Sequence, residues 1–309
     1  MNRDLTNGSV MRSMLGFAVP MILGNLLQQC YNIADTLIVG RFLGSNALAA
    51  VGSAFTLMTF LTSILLGLCM GSGAVFSIRF GQRDEAGLRE SISASFVLIA
   101  GLTLFLNCLA FVCLDGIRIF LQVPAEVWSL MRGYLLVIFC GITATFLYNY
   151  FASFLRALGN SLIPLVFLAI SSVLNIILDL WFVLGLGRGV QGAAEATVIS
   201  QYVSGIGITV YALAKCPQFR GIHRQCKIRF ACIKEITSFS ILTCVQQSVM
   251  NLGILMVQGL VNSFGTVVMA AFAAAIKIDS FAYMPVQEFG NAFSTFIAQN
   301  FGARKEERI

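Results

Sequence analysis

Apolar runs of roughly 20 residues or more recur along this chain, each closed by a short cluster of Gly, Asn, Ser or charged residues. Their spacing predicts eight helices, over about 14–39, 47–77, 91–114, 130–151, 162–184, 193–214, 237–261 and 266–297. The connections, such as "GRFLGSN", "RFGQRDEAGLRE", "SFLRALGNS" and "GLGRGVQG", carry residues that end helices. A segment in lipid must satisfy its backbone polar groups internally, so runs of this length predict an all-α polytopic membrane protein.

Composition strengthens that expectation. Of 309 residues 58% are hydrophobic and only 11% charged, with a mean hydropathy of +0.85, whereas soluble domains carry about 25% charged residues. No short apolar stretch with a small-residue cleavage site precedes the first run, so no removable signal peptide is expected. The nine cysteines lie singly without a CxxC pair, which suits small apolar core residues better than disulfides. His223 with Cys216 and Cys226 fits no standard zinc spacing, and "GSGAVFSIRFG" follows no strand, so neither a metal, a phosphate loop nor a bound cofactor is expected. No nucleophile stands with a base and no His lies in a span, which argues against an enzyme.

The formal charge of +6 is best read as topology. With the N-terminus in the cytoplasm, fifteen Lys and Arg residues fall inside and four (Arg41, Arg118, Arg132 and Arg188) outside. That bias predicts a multi-pass protein of the plasma membrane with both termini cytoplasmic, and anionic lipid headgroups as neighbours in place of nucleic acid.

The chain also resembles itself at an offset of 221. "FLGSNALAAVGSAFTLMTF" (42–60) aligns with "SFGTVVMAAFAAAIKIDSF" (263–281), and "RFGQRDEAG" (79–87) with "NFGARKEER" (300–308). The expected organisation is a six-helix lobe over 1–214, a basic inter-lobe loop over 215–234, and the first two helices of a second, parallel-repeat lobe over 235–309. A complete second copy would need roughly 130 further residues, so the pattern predicts a C-terminally truncated form of a protein with about twelve spans.

Three polar residues carry the candidate chemistry. Asp35 sits late in the first span, while Asn175 and Asp179 lie at i and i+4 in "SSVLNIILDLWFVLG", on one helix face about 6 Å apart. An acid at the bilayer centre costs on the order of 3 kcal/mol, so such groups face a bundle interior and act there. A carboxyl among hydrocarbon favours its neutral form, and a second acid nearby favours it further, so the pair suits proton exchange. With Asn175 and the Thr197 hydroxyl as further oxygen donors it could equally hold Na⁺. Pro20 removes a backbone bond in the first span and provides a bend point. Gly67 and Gly71 form a GxxxG pair that allows close helix packing. Lys277 and Asp279 lie two residues apart and point to different faces, Glu195 complements a helix N-terminus, and Glu288 is expected to snorkel to the membrane surface.

The stretches "VPMILGNLLQQCYNIADTLIVGRFLG", "LGLCMGSGAVFSIRFGQRD", "FLRALGNSLIPL", "NIILDLWFVLGLGRGVQGAAEAT" and "IAQNFGARKEER" resemble, in this order, the multidrug and toxic compound extrusion (MATE) transporters, in particular their bacterial DinF-like branch. The resemblance implies two six-helix lobes and export of cationic, amphipathic drugs or toxic organic compounds in exchange for H⁺ or Na⁺. It implies a cation site at Asp35, Asn175, Asp179 and Thr197, family polar positions at Tyr134 and Asn149, a helix bend at Pro20, and a cavity-lining role for Lys277. A monomer binding small cationic substrates is expected. A lipid-linked oligosaccharide flippase of the same superfamily, or a truncated remnant that transports nothing, are the alternative readings.

Overall fold

A computed structural model describes residues 4–219 and 229–309, apart from the side chains of Lys277, Ser280 and Phe281. Among the described residues ten α-helices follow one another: α1 (Val10–Leu43), α2 (Ser45–Gly81), α3 (Glu85–Val112), α4 (Leu114–Phe120), α5 (Ala125–Cys140), α6 (Ile142–Ala157), α7 (Leu162–Asp179), α8 (Gly189–Lys215), α9 (Phe230–Asn262) and α10 (Thr266–Gly302). Six are long and apolar enough to cross a membrane, and α5 with α6 makes a seventh if that bent pair counts as one span. The protein is therefore a multi-pass membrane protein. The expected count of eight is not confirmed, because the described apolar run of α10 is only Thr266–Ile276 and stops before Lys277.

The predicted span 130–151 is the pair α5 and α6, bent by 45°. Gly141 stands at the break, where a Cβ would lie 2.7 Å from Gln201 Oε1 and 3.1 Å from Val198 Cγ2, so α8 packs directly against the bend. Beside it the Tyr202 hydroxyl donates to the Cys140 carbonyl at 2.9 Å, which satisfies a backbone group at the interruption. Pro20, by contrast, lies within the single element α1. Outward-facing Leu104, Phe105, Val112, Ile177, Val210 and Leu242 are exposed, as a lipid-facing surface requires. Inside, Tyr150 meets Phe76 and Phe96 edge-on, and its hydroxyl donates to the Ile92 carbonyl at 2.7 Å. Of the cysteines, Cys69, Cys216 and Cys232 are buried as expected, whereas Cys30, Cys108, Cys113 and Cys140 are exposed.

The offset of 221 reappears in the backbone. Helices α2 and α10 each have 37 residues, and both their first and last positions correspond at that offset. The preceding Gly44 and Gly265 have φ/ψ of 87°/−178° and 92°/173°, a region open essentially to glycine alone. The residues two after each helix, Arg83 and Arg304, both turn left-handed, with φ of 58° and 56°. Where α2 and α10 cross, Gly81 abuts the Gln299 carbonyl and Gly302 abuts the Ile78 carbonyl. Ile78 and Gln299 are themselves equivalent at this offset, so the contact is reciprocal.

Gly67 and Gly71 find their partner in α9, where a Cβ at Gly71 would stand 2.6 Å from the Ser240 nitrogen. Backbones so close let Thr243 Oγ1 donate to the Gly67 carbonyl at 2.6 Å and Ser240 Oγ to the Leu68 carbonyl at 3.2 Å. Small residues and hydroxyl bonds of this kind hold helices together where no hydrophobic force acts between them. Two ion pairs add to the joint at one end: Arg79 with Glu235 at 2.6 Å, and Arg229 with Glu90 at 2.6 Å. At offset 221 Gly67 and Gly71 become Glu288 and Ala292, and α10 meets α1 through side chains. Ala292 and Phe296 pack with Phe17, Ala18 and Met21.

Candidate functional site

A cavity of about 380 Å³ lies among α1, α2, α5, α6, α7, α8, α9 and α10. This lies within the 300–1,000 Å³ typical of ligand pockets. Several of these helices turn polar residues toward it. Asn25, Gln28, Asn32 and Asp35 contribute from α1, at intervals of three and four residues. Thr145, Tyr148, Asn149 and Arg156 come from α6, Gln247 and Asn251 from α9, and Gln287, Glu288, Asn291 and Thr295 from α10. Met21, Met58, Met70, Met250 and Met284 with Phe55 supply apolar wall, a mixture that can repack around differently shaped guests.

Asp35, Tyr134, Asn149 and Thr197 of the predicted set line this cavity. Asn175 and Asp179 stand behind the wall, 2% and 0% exposed. Asn175 Nδ2 donates to Thr197 Oγ1 at 3.3 Å, linking α7 to α8 as the i, i+4 reading anticipates. Asp179 lies close enough to Asp35 for the two carboxyl groups to interact electrostatically, and Tyr31 and Tyr134 feel both acids. The set therefore converges from α1, α5, α7 and α8. Asn149 stays with its own helix, donating to the Thr145 carbonyl at 2.8 Å. Lys277 lies on α10, and its side chain is outside the described residues, as are His223 and Cys226.

Both Asp179 oxygens and Asn175 Oδ1 are buried without a hydrogen-bond partner. Leaving such a group unmade costs about 1–3 kcal/mol, and more when it is charged. A structural polar pair would spend those oxygens on bonds; here they make none. No metal cluster of three or more His, Cys, Asp or Glu occurs among the described residues. The local backbone is also unusual. Immediately after Asp179 the helix widens into a π-turn, Leu180–Gly185, and the Leu186 N–H reaches five residues back to the Trp181 carbonyl at 2.9 Å. Insertions of this kind concentrate at functional sites.

Several cavity residues escape sequence reasoning centred on acids. Glu288, expected to snorkel, is only 7% exposed, with Oε1 accepting from Asn25 Nδ2 at 2.9 Å and from Asn291 Nδ2 at 3.1 Å. Arg156 lines the cavity as well. The signal that could have found them is the polar stripe at helical spacing in α1, α6 and α10. Glu195, read as a helix-dipole partner, in fact pairs with Arg188.

A helical membrane bundle around a polar, methionine-walled cavity with a buried acid pair is the build of a small-molecule transporter. The family model described as MatE matches residues 20–181 and 240–309, and the chain belongs to that family. It is 31% identical over 306 residues to "Probable multidrug resistance protein YpnP" of Bacillus subtilis (strain 168), covering 99% of this chain and 68% of the relative. It is also 31% identical to "Probable multidrug resistance protein YoeA" of the same organism, covering 97% and 66%. Among solved structures it superposes on "Outward-facing conformation of a multidrug resistance MATE family transporter of the MOP superfamily" with a TM-score of 0.89 at 24% identity, over 99% of this chain and 68% of that one. The chain thus spans about two thirds of the length of the proteins it matches.

Proposed function

We propose that the protein works as a multidrug efflux transporter of the plasma membrane, an antiporter that exchanges H⁺ or Na⁺ for cationic, amphipathic organic molecules by alternating access. The observation that carries this reading is the acid pair: Asp35 on the cavity wall, with Asp179 behind it, fully buried and with both oxygens open. Loading a proton or Na⁺ there lowers the negative charge of the pair by one and reduces the cost of burying it. Unloading restores that cost. The cavity shape that exposes Asp35 to water is then favoured in one state and disfavoured in the other, and α1 can follow by flexing at Pro20. Asn175 and Thr197 supply further oxygens if the ion is Na⁺, while Tyr134 and Asn149 hold the polar wall. On this reading both termini lie in the cytoplasm, membrane lipids are the surrounding partners, and the protein works as a monomer.

The flippase alternative needs a basic cavity for anionic pyrophosphate headgroups. Among the described residues the charged lining is Asp35, Glu288 and Arg156, which favours a cationic guest. Efflux of a fluorescent cation from proteoliposomes is the test. Asp35→Asn should abolish dependence on a proton or Na⁺ gradient while the protein still folds and elutes as wild type; undiminished coupled efflux would overturn the assignment.

A further inference from the structure

Glu288 is a buried acid that the pair at Asp35 and Asp179 does not use. It lies 22 residues into α10, and its carboxyl group reaches across to α1. Asn25 Nδ2 and Asn291 Nδ2 both donate to Oε1, so a single oxygen takes the two bonds that fix the side chain. The second oxygen, Oε2, is buried and accepts nothing. Among the described residues Glu288 enters no ion pair within 4.0 Å. Arg156, from α6, lines the same cavity, yet it is not such a partner. The carboxyl group is thus held through one oxygen, with the other buried and unbonded, in a side chain that lines the cavity.

Its position separates it from the coupling pair. Asn25 and Asp35 are ten residues apart on α1, which is about 15 Å along a helix. The surroundings differ too. Met284, one helical turn before Glu288, Met21, one turn before its partner Asn25, and Tyr148 line the same cavity. A small hard ion such as Na⁺ wants a shell of oxygens, whereas one open carboxylate oxygen beside thioether and aromatic surface suits a soft, weakly hydrated organic cation.

We infer that Glu288, held by Asn25 and Asn291, is the anchor for the positive group of the transported organic cation, at a subsite distinct from the Asp35–Asp179 coupling site. The inference rests on the efflux reading above and deepens it by naming where the substrate's charge goes. It also puts substrate and coupling ion in different places, joined through α1, which carries both Asn25 and Asp35.

The test is equilibrium binding of tetraphenylphosphonium to the purified chain in lipid nanodiscs, with neutral triphenylphosphine oxide as the comparison probe. Glu288→Gln should weaken tetraphenylphosphonium binding by roughly 30-fold or more, the lower end for losing one partner of a buried charge pair, and leave the neutral probe within about twofold. Glu288→Asp, which keeps the charge, should recover part of the loss, and this separates anchoring from folding. Stabilisation by Na⁺ or by protonation at the acid pair should persist in Glu288→Gln. Equal tetraphenylphosphonium affinity in wild type and Glu288→Gln overturns the subsite alone. Loss of Na⁺ stabilisation in Glu288→Gln with organic-cation binding intact also overturns it, and makes the group an inorganic-ion site. A wild-type chain that binds no organic cation overturns both this inference and the efflux reading.

Discussion

Replacing Asp179 by Asn separates a coupling acid from a structural one. The side chain is fully buried and neither oxygen accepts a hydrogen bond. If it were glue between α7 and its neighbours, losing the acid would cost about 1 kcal/mol per bond, but there are no such bonds to lose. Burying an unmade polar group already costs about 1–3 kcal/mol. Asn has nearly the same volume and no charge, so the variant should unfold at the wild-type temperature or above it. Its loss should appear instead in ligand linkage. A coupling ion at a hundred times its Kd stabilises the wild type by about 2.7 kcal/mol, and Asp179→Asn should forfeit nearly all of that. The assay is thermal unfolding of the purified protein in detergent, with and without saturating Na⁺ at fixed pH, and then across a pH series without Na⁺. A variant destabilised by more than about 1 kcal/mol without added ion would point to a structural role. Undiminished ion-dependent stabilisation would refute the coupling argument outright, as would a wild type indifferent to both Na⁺ and pH.

Two further outcomes test the frame around the site. Gly71→Val puts branched carbon where a single Cβ would already stand 2.6 Å from the Ser240 nitrogen; forcing α9 away should cost about 1–3 kcal/mol, read as a lower unfolding temperature, and wild-type stability would show that the two backbones do not meet. At the N-terminus burial raises the pKa of Asp4, but donors from Thr6 and Asn7 together with Lys305 outweigh it and hold the carboxyl below its ordinary 3.8. A depressed acid stabilises above its unfolded pKa and loses that contribution as pH falls through the folded value, so hydrogen exchange at the Thr6 amide should be protected at neutral pH and accelerate in that acidic window relative to an Asp4→Asn control. Protection that is the same across the window would show that Asp4 makes no such contribution.

Much of the frame could be read directly from the chain. The apolar runs place most of the helices because lipid allows few other backbone solutions. Gly44 and Gly265 stand at equivalent starts because the same glycine-only backbone angles are needed at both. The break at Gly141 was not legible. The apolar pattern continues across it, and only the packing of α8 shows why a glycine stands there. The π-turn after Asp179 is equally silent in the letters, since one added residue per turn changes no residue type.

The two acids were legible because a charge in hydrocarbon is expensive and therefore conspicuous. Asn175 bonds Thr197, and Asp179 lies near Asp35. Glu288 was equally visible as a letter but wrongly placed, because depth along a helix does not say whether a side chain can reach water. That depends on α1 lying alongside α10 and offering Asn25.

The sequence alone determined that the chain is a helical membrane protein, where the 221-residue echo lies and which acids stand in apolar runs. These are local properties, set by transfer energies and backbone angles that each residue carries with it. Only the tertiary structure decided which helix faces share a cavity, that Gly67 and Gly71 press on α9, and that Glu288 lies buried with one oxygen held and one open. Those facts depend on pairs of residues from helices far apart in the chain, and the burial of either partner is created by the approach of the other.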